Sequence, residues 1–206
     1  TALGVLQVVE IHCTPTGHFP HNPEPLPENL TDLCSAVRKH RAHFGIAVDP
    51  DVDRLALVCE DGSFFGEEYT LVACADHVLA HRPGDTVSNL SSTRALDDIA
   101  AKHGRKRHAS AVGEVNVVET MKAVGAAIGG EGNGGVILGE LHYGRDALVG
   151  IALFLTLYAR SCKTCSELRK TYPDYFISKN KVELAPGMDV QAIVDSIGAR
   201  YKGQPH

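Results

Sequence analysis

An apolar run that stops abruptly in acid sets the strongest limit on how this chain can fold. Phe44-Gly45-Ile46-Ala47-Val48 is followed at once by Asp49-Pro50-Asp51-Val52-Asp53-Arg54. A short apolar run bounded by turn residues reads as a buried strand. Three aspartates at alternate positions repel one another, and nothing in packing requires them. A divalent cation relieves that repulsion, and hard cations such as Mg2+ take oxygen ligands. Open α/β sheets place their ligands beyond the carboxyl ends of the strands. The expectation is therefore a metal loop at the end of a strand, with Asp49, Asp51 and Asp53 as ligands and Arg54 reaching a phosphate.

Two other chemistries use aspartates at this spacing. An EF-hand also wants oxygens at alternate positions, and Glu60 falls where its last ligand would be; but Arg54 stands where that loop needs glycine, and a strand follows. A phosphatase with an aspartyl nucleophile fits strand-Asp-x-Asp locally. It would need a late carboxylate pair, and Asp97-Asp98 falls within a helical pattern.

Strand and helix alternate along the chain, which predicts parallel α/β layers. Residues 4–12 read as a strand. Residues 14–27 are too rich in Pro and Gly for regular structure. Asn29 to Arg41 reads as a helix with Leu30, Leu33, Cys34 and Val37 on one face. Leu55 to Cys59 is a strand, Asp61-Gly62 a hairpin turn, and Glu67 to His81 a helix. Strands follow over 85–90, 107–112, 126–130 and 136–138. Helices are expected over 93–103, with Ser91-Ser92-Thr93 as caps, then over 114–124 and from Asp146 to about Arg160. After Pro173, Lys179 to Leu184 reads as a strand and Asp189 to Tyr201 as a helix.

The formal net charge of -5 argues against a nucleic-acid or anionic-membrane surface. The basic cluster at 102–107 reads as a solvated helix end. No apolar run reaches the ~18 residues that suggest a membrane span. The six cysteines are dispersed, which suits a reducing cytoplasm. Cys162-Lys163-Thr164-Cys165 has no second pair at zinc spacing and reads as one helix ending and another beginning. With no initiator Met and a strand at its very start, the chain reads as a piece of a longer protein.

A second candidate site is the glycine-rich turn Gly129-Gly130-Glu131-Gly132-Asn133-Gly134-Gly135. Glycines let backbone approach a ligand closely, and Glu131 and Asn133 could hold sugar hydroxyls. The turn at 142–146 carries His142, Arg145 and Asp146, the last two as candidate helix caps.

Taken in order, these pieces resemble the α-D-phosphohexomutase family, the phosphoglucomutase, phosphomannomutase and phosphoglucosamine mutase group. Residues 17–25 look like the family's Pro-rich loop, 45–54 like its magnesium loop and 129–135 like its sugar-recognition loop. Val112-Gly113-Glu114 and Gly144-Arg145-Asp146-Ala147 look like further parts of the third domain. Two positions depart from the family pattern. Ala111 stands where a lysine is common, and the sugar loop has Asn133-Gly134-Gly135 where Ser-Gly-His is common.

The resemblance implies tandem phosphohexomutase-type α/β domains with mixed, mostly parallel sheets flanked by helices. Residues 1–64 would be the later part of domain 2, 65–176 domain 3, and 177–206 the start of domain 4. It implies a phosphorylated hexose substrate, Mg2+, a phosphoserine donor lying outside this chain, and a hexose 1,6-bisphosphate intermediate. Arg54 would be catalytic, Asp49, Asp51 and Asp53 would hold the metal, and Glu131, Asn133, His142 and Arg145 would bind substrate. The rival readings are the aspartyl phosphatase and a non-catalytic sugar-phosphate binding fragment.

Overall fold

The computed structural model describes residues 4–5, 7–178, 183–185 and 187–202. The chain divides into two compact units, Thr1–Phe176 and Ile177–His206. In the first, a single-turn 3-10 helix precedes α1 (Thr31–His40), which packs on a hairpin of β1 (Phe44–Val48) and β2 (Leu55–Cys59). The two strands pair antiparallel, with Val48 opposite Leu55, so the three aspartates sit in the turn between them. α2 (Glu67–His81) follows. β3 (Thr86–Asn89), β4 (Arg107–Ser110), β5 (Ile128–Gly130) and β6 (Val136–Leu138) then form a four-stranded sheet in the order β4-β3-β5-β6. β3 runs parallel to both β4 and β5, and β6 turns back antiparallel on β5. α3 (Ala95–Lys102), α4 (Glu114–Val124), α5 (Ala147–Ser161) and α6 (Cys165–Arg169) complete the unit.

The helix α2 explains how the hairpin and the sheet come to share one core. Tyr69 through Ala75, with Val78 and Leu79, are all buried. A helix that is apolar on most of its circumference must be enclosed on most sides. α2 is enclosed by β2, α3, α5, β5 and β6. Leu55, Leu57 and Cys59 of β2 face this core with Phe65 and Phe154, while Val58 points the other way onto Cys34 and Val37 of α1. That division follows the two-residue side-chain period of a strand. Burial of each large aliphatic or aromatic side chain stabilises the fold by roughly 1.5–3 kcal/mol.

Several sequence expectations shift. The strand expected over residues 4–12 does not form among those described. A strand needs a partner edge, and this segment instead lines a groove with β1 and α5, leaving Val8 and Val9 exposed. Of the three expected caps only Thr93 serves α3, its Oγ1 accepting from Ala95 N–H at 3.3 Å, while Ser91 and Ser92 do not. Ser91 N–H and Ser92 Oγ donate instead to Asn89 Oδ1, at 3.0 and 2.8 Å. Cys162 closes α5 with φ 54°, and Cys165 opens α6 behind a Thr164–Glu167 capping box. In the second unit, α7 (Val190–Tyr201) is capped by Asp189, which accepts from Ala192 N–H at 3.1 Å. Of the strand expected at Lys179 to Leu184, residues 179–182 lie outside the described residues, and Glu183 and Leu184 are not in a strand.

A polar knot fastens α2 to α3. Asp76 accepts from Lys102 Nζ at 2.9 Å and from Tyr172 OH at 3.3 Å, and pairs with His103 Nε2 at 2.7 Å. Burial acts to raise the Asp76 pKa, but Lys102 and His103 outweigh it and hold the carboxyl below its ordinary value. A depressed carboxylate pKa stabilises the fold above the unfolded value of about 3.9 and loses that contribution as pH falls through the folded one. Thermal melts between pH 6 and pH 3 are expected to show falling stability below about pH 4, with a flatter profile in Asp76→Asn. An identical profile in the variant would show that Asp76 does not contribute.

Candidate metal and ligand site

The turn after β1 is built around Asp49. Its side chain is buried, and Oδ1 accepts from the backbone N–H of both Asp53 and Arg54, each at 3.0 Å. Oδ2 accepts from Arg54 Nε at 2.8 Å. Burial works to raise the pKa of Asp49, but the Arg54 backbone and guanidinium win and leave it below the ordinary value. Arg54 also donates through Nη1 to Glu24 Oε1 at 3.1 Å, which draws the Pro-rich loop to the turn. The turn closes through Val52, whose N–H donates to Asp49 O at 3.1 Å and whose φ is 59°. A β-branched residue in the left-handed region is strained, at a cost of about 1–2 kcal/mol.

Asp49, Asp51 and Asp53 each offer a carboxylate oxygen, all within 4.8 Å of one another. Around Mg2+, with oxygens at about 2.0–2.1 Å, neighbouring ligands stand roughly 3 Å apart and opposite ones roughly 4 Å. The trio is therefore somewhat wider than Mg2+ ligands stand, and would supply three of the six oxygens of an octahedral set. Its donors are all oxygen, as a hard cation requires, and Asp53 Oδ1 is buried with no hydrogen bond. Burial pushes the Asp53 carboxyl up, Arg145 opposes that, and the neighbouring Asp49 and Asp51 add to it, leaving it at about 6.

The glycine-rich turn lies directly against this loop. Leu55 N–H donates to Gly134 O at 3.1 Å, and Arg54 forms an antiparallel bridge with Gly135. Gly134 has φ 92°, and a Cβ there would meet Leu55 O at 2.5 Å, so no other residue fits. Glu131 is buried, with Oε1 accepting from Asn89 Nδ2 at 2.7 Å and Gly113 N–H at 3.3 Å, and Oε2 from Arg145 Nη1 at 2.9 Å. Asn133 Oδ1 accepts from Gly135 N–H at 3.2 Å and so shapes its own loop.

Arg145 joins the two halves. Its Nε donates to Glu114 Oε2 and its Nη1 to Glu131 Oε2, each at 2.9 Å, and its Nη2 forms an ion pair with Asp53 Oδ2. Asp146 is the N-cap of α5, accepting from Val149 N–H at 3.0 Å. His142 Nε2 pairs with Asp146 Oδ2 at 2.9 Å on the rim. The carboxylates invoked by the alternative chemistries are engaged elsewhere. Glu60 accepts from Ser166 at the start of α6, Asp97 from Arg107, and Asp98 from Tyr175.

Sequence reasoning missed Asn89, Glu114 and Glu24 as parts of this site. Glu114 lies in the Val112-Gly113-Glu114 stretch, where no partner is visible in sequence. Asn89 carried a faint signal, a polar amide closing a strand otherwise destined for burial.

Comparison with known proteins bears on this geometry. Residues 1–62 match the phosphoglucomutase/phosphomannomutase alpha/beta/alpha domain II, and residues 66–175 match its alpha/beta/alpha domain III. The chain belongs to the phosphoglucomutase/phosphomannomutase family. It is 37% identical over 177 residues to the phosphoglucomutase/phosphomannomutase of Thermococcus kodakarensis, a match covering 85% of this chain and 39% of that protein. The crystal structure of a family protein from Burkholderia thailandensis superposes with a TM-score of 0.68 at 30% identity, covering 75% of this chain and 34% of that one. The N-acetylphosphoglucosamine mutase of Aspergillus fumigatus, solved with GlcNAc-6P and magnesium, shares the fold at a TM-score of 0.52 and 17% identity, covering 76% and 40%. The chain thus spans about two-fifths of the length of the relatives it matches. Among the described residues no helix is long and apolar enough to cross a membrane.

Two outcomes follow from this geometry. Val52 is partly exposed, so Val52→Gly removes backbone strain at little packing loss; it is expected to raise stability by about 0.5–1 kcal/mol in urea unfolding, and a destabilised variant would contradict the strain. Because a proton and a cation compete for Asp53, divalent affinity should climb as pH rises through about 6. A Mn2+ titration followed by electron paramagnetic resonance between pH 5 and 7.5 measures it, and a flat profile would exclude Asp53 as a ligand.

Proposed function

We propose that this chain carries the cation loop and the sugar loop of an enzyme that moves a phosphoryl group between the 1- and 6-positions of a hexose. What carries the reading is the junction of the two loops: three clustered aspartates fastened through Arg145 to the buried Glu131. Phosphoryl transfer depends mostly on positioning and on neutralising charge. In this reading Asp49, Asp51 and Asp53 hold Mg2+, which when bound neutralises charge on the transferring group. Arg54 presents its guanidinium to phosphoryl oxygens. Glu131 accepts from sugar hydroxyls and Asn133 accepts and donates, with Arg145 and His142 as further substrate-binding residues.

The domain division follows the same reading: 1–64 as the later part of domain 2, 65–176 as domain 3, and 177–206 as the start of domain 4. The phosphoserine donor belongs to another part of the protein, and a hexose 1,6-bisphosphate is the intermediate. The ligands named for the Aspergillus fumigatus protein, a sugar phosphate and magnesium, support that substrate class and that cation. All six cysteines are free, which supports a cytoplasmic setting.

Asp51 provides the cleanest test, because it is exposed and the fold leans on it least. Asp51→Asn in the 206-residue chain is expected to weaken Mg2+ binding by roughly tenfold in calorimetric titration while leaving the melting temperature unchanged. Wild-type affinity in the variant would overturn the cation loop. Hexose phosphates differing at the 2-position, titrated in turn, read out the sugar preference of the Glu131 loop.

A further inference from the structure

Arg145 is consumed by protein carboxylates in a way that a plain substrate ligand would not be. Each of its three nitrogens meets a different acid: Nε meets Glu114 at the start of α4, Nη1 meets Glu131 in the sugar loop, and Nη2 meets Asp53 in the cation loop. Glu114 also accepts from the Arg145 backbone N–H at 3.4 Å. The stem is seated with equal care. A Cβ on Gly135 would meet Arg145 Cδ at 2.4 Å and Cγ at 3.2 Å, so the glycine leaves the channel through which the side chain runs. The guanidinium is largely enclosed, and its fork geometry suits several fixed acceptors at once.

The charges are unequal. Among the described residues, the ion pairs of Asp49, Asp53, Glu114 and Glu131 are with Arg54 and Arg145, and Asp51 adds a fifth acid to the cluster. Without a cation, Arg145 is the main positive charge on Asp53. A divalent ion held by the three aspartates takes Asp53 as a ligand and weakens that ion pair.

We propose that Arg145 is a positioning residue that couples cation binding to sugar-phosphate binding, pairing with Asp53 when the cation is absent and turning that edge of its guanidinium toward the bound anion when it is present. This rests on the cation loop proposed above. Coupling of this kind is reciprocal: whatever factor the sugar phosphate adds to cation affinity, the cation adds to sugar-phosphate affinity.

The test compares the wild-type chain with Arg145→Met and Arg145→Lys, titrating Mg2+ alone and then in the presence of glucose 1-phosphate. In wild type, glucose 1-phosphate should tighten Mg2+ binding. In Arg145→Met, Mg2+ alone should bind roughly fivefold tighter or more, because a competing positive charge is gone, and the tightening by glucose 1-phosphate should vanish. Arg145→Lys keeps the charge without the fork and should fall between them. A merely structural role predicts the opposite sign, with weaker Mg2+ binding as the site loosens. Weaker or unchanged Mg2+ affinity in Arg145→Met, or an intact response to glucose 1-phosphate, overturns the proposal while leaving the cation loop standing. No Mg2+ binding by wild type overturns both. If glucose 1-phosphate does not bind, the Mg2+-alone comparison decides. If Arg145→Met does not melt cooperatively, Gly135→Ala decides instead: it keeps every charge and displaces the stem, and should shift both readouts in the same direction by less. No change in Gly135→Ala would then count against the role.

Discussion

Mutual repulsion among carboxylates is the constraint around which this molecule is arranged. Asp49, Asp51 and Asp53 come from one turn, Glu131 from another and Glu114 from the head of α4. Left unpaired at this density, such groups would either take up protons or pull the loops apart. Two guanidiniums prevent that. Arg54 acts within its own turn and toward Glu24, and Arg145 acts between elements. The arrangement remains acid-rich, an all-oxygen donor set of the kind a hard cation takes.

The apolar scaffold makes that arrangement possible. α2 is buried on most sides and gives the hairpin and the four-stranded sheet a shared core. β2 runs through it, and its first residue, Leu55, is both a core side chain and the backbone anchor of the glycine-rich turn. The segments that match two successive family domains therefore meet along a packed boundary, and the site lies where that boundary reaches the surface.

Much of this was legible in the sequence, because the signals are local. The apolar run ending in aspartates gave β1 and its turn, and the helical spacing of 67–81 and 114–124 gave α2 and α4 with their observed limits. The glycines of 129–135 announced a close backbone approach. What could not be read depends on partners distant in sequence. Residues 4–12 have a strand's composition, yet those described form no ladder with β1, whose outer edge lies across the same groove. Ser91 and Ser92 look like helix caps and instead serve Asn89, which in turn holds Glu131. Arg145 reads as a ligand for substrate, yet in the fold its nitrogens are given to Asp53, Glu114 and Glu131.

The backbone bonds across the boundary carry one more consequence. Leu55 N–H to Gly134 O, Ala147 N–H to Val52 O and Asp146 N–H to Val136 O tie the cation turn, the glycine turn and the head of α5 into one plate. None of these pieces can tilt without breaking main-chain hydrogen bonds to its neighbours. The floor of the candidate site is therefore one hydrogen-bonded unit, in which the cation turn and the glycine turn hold a fixed relation to each other.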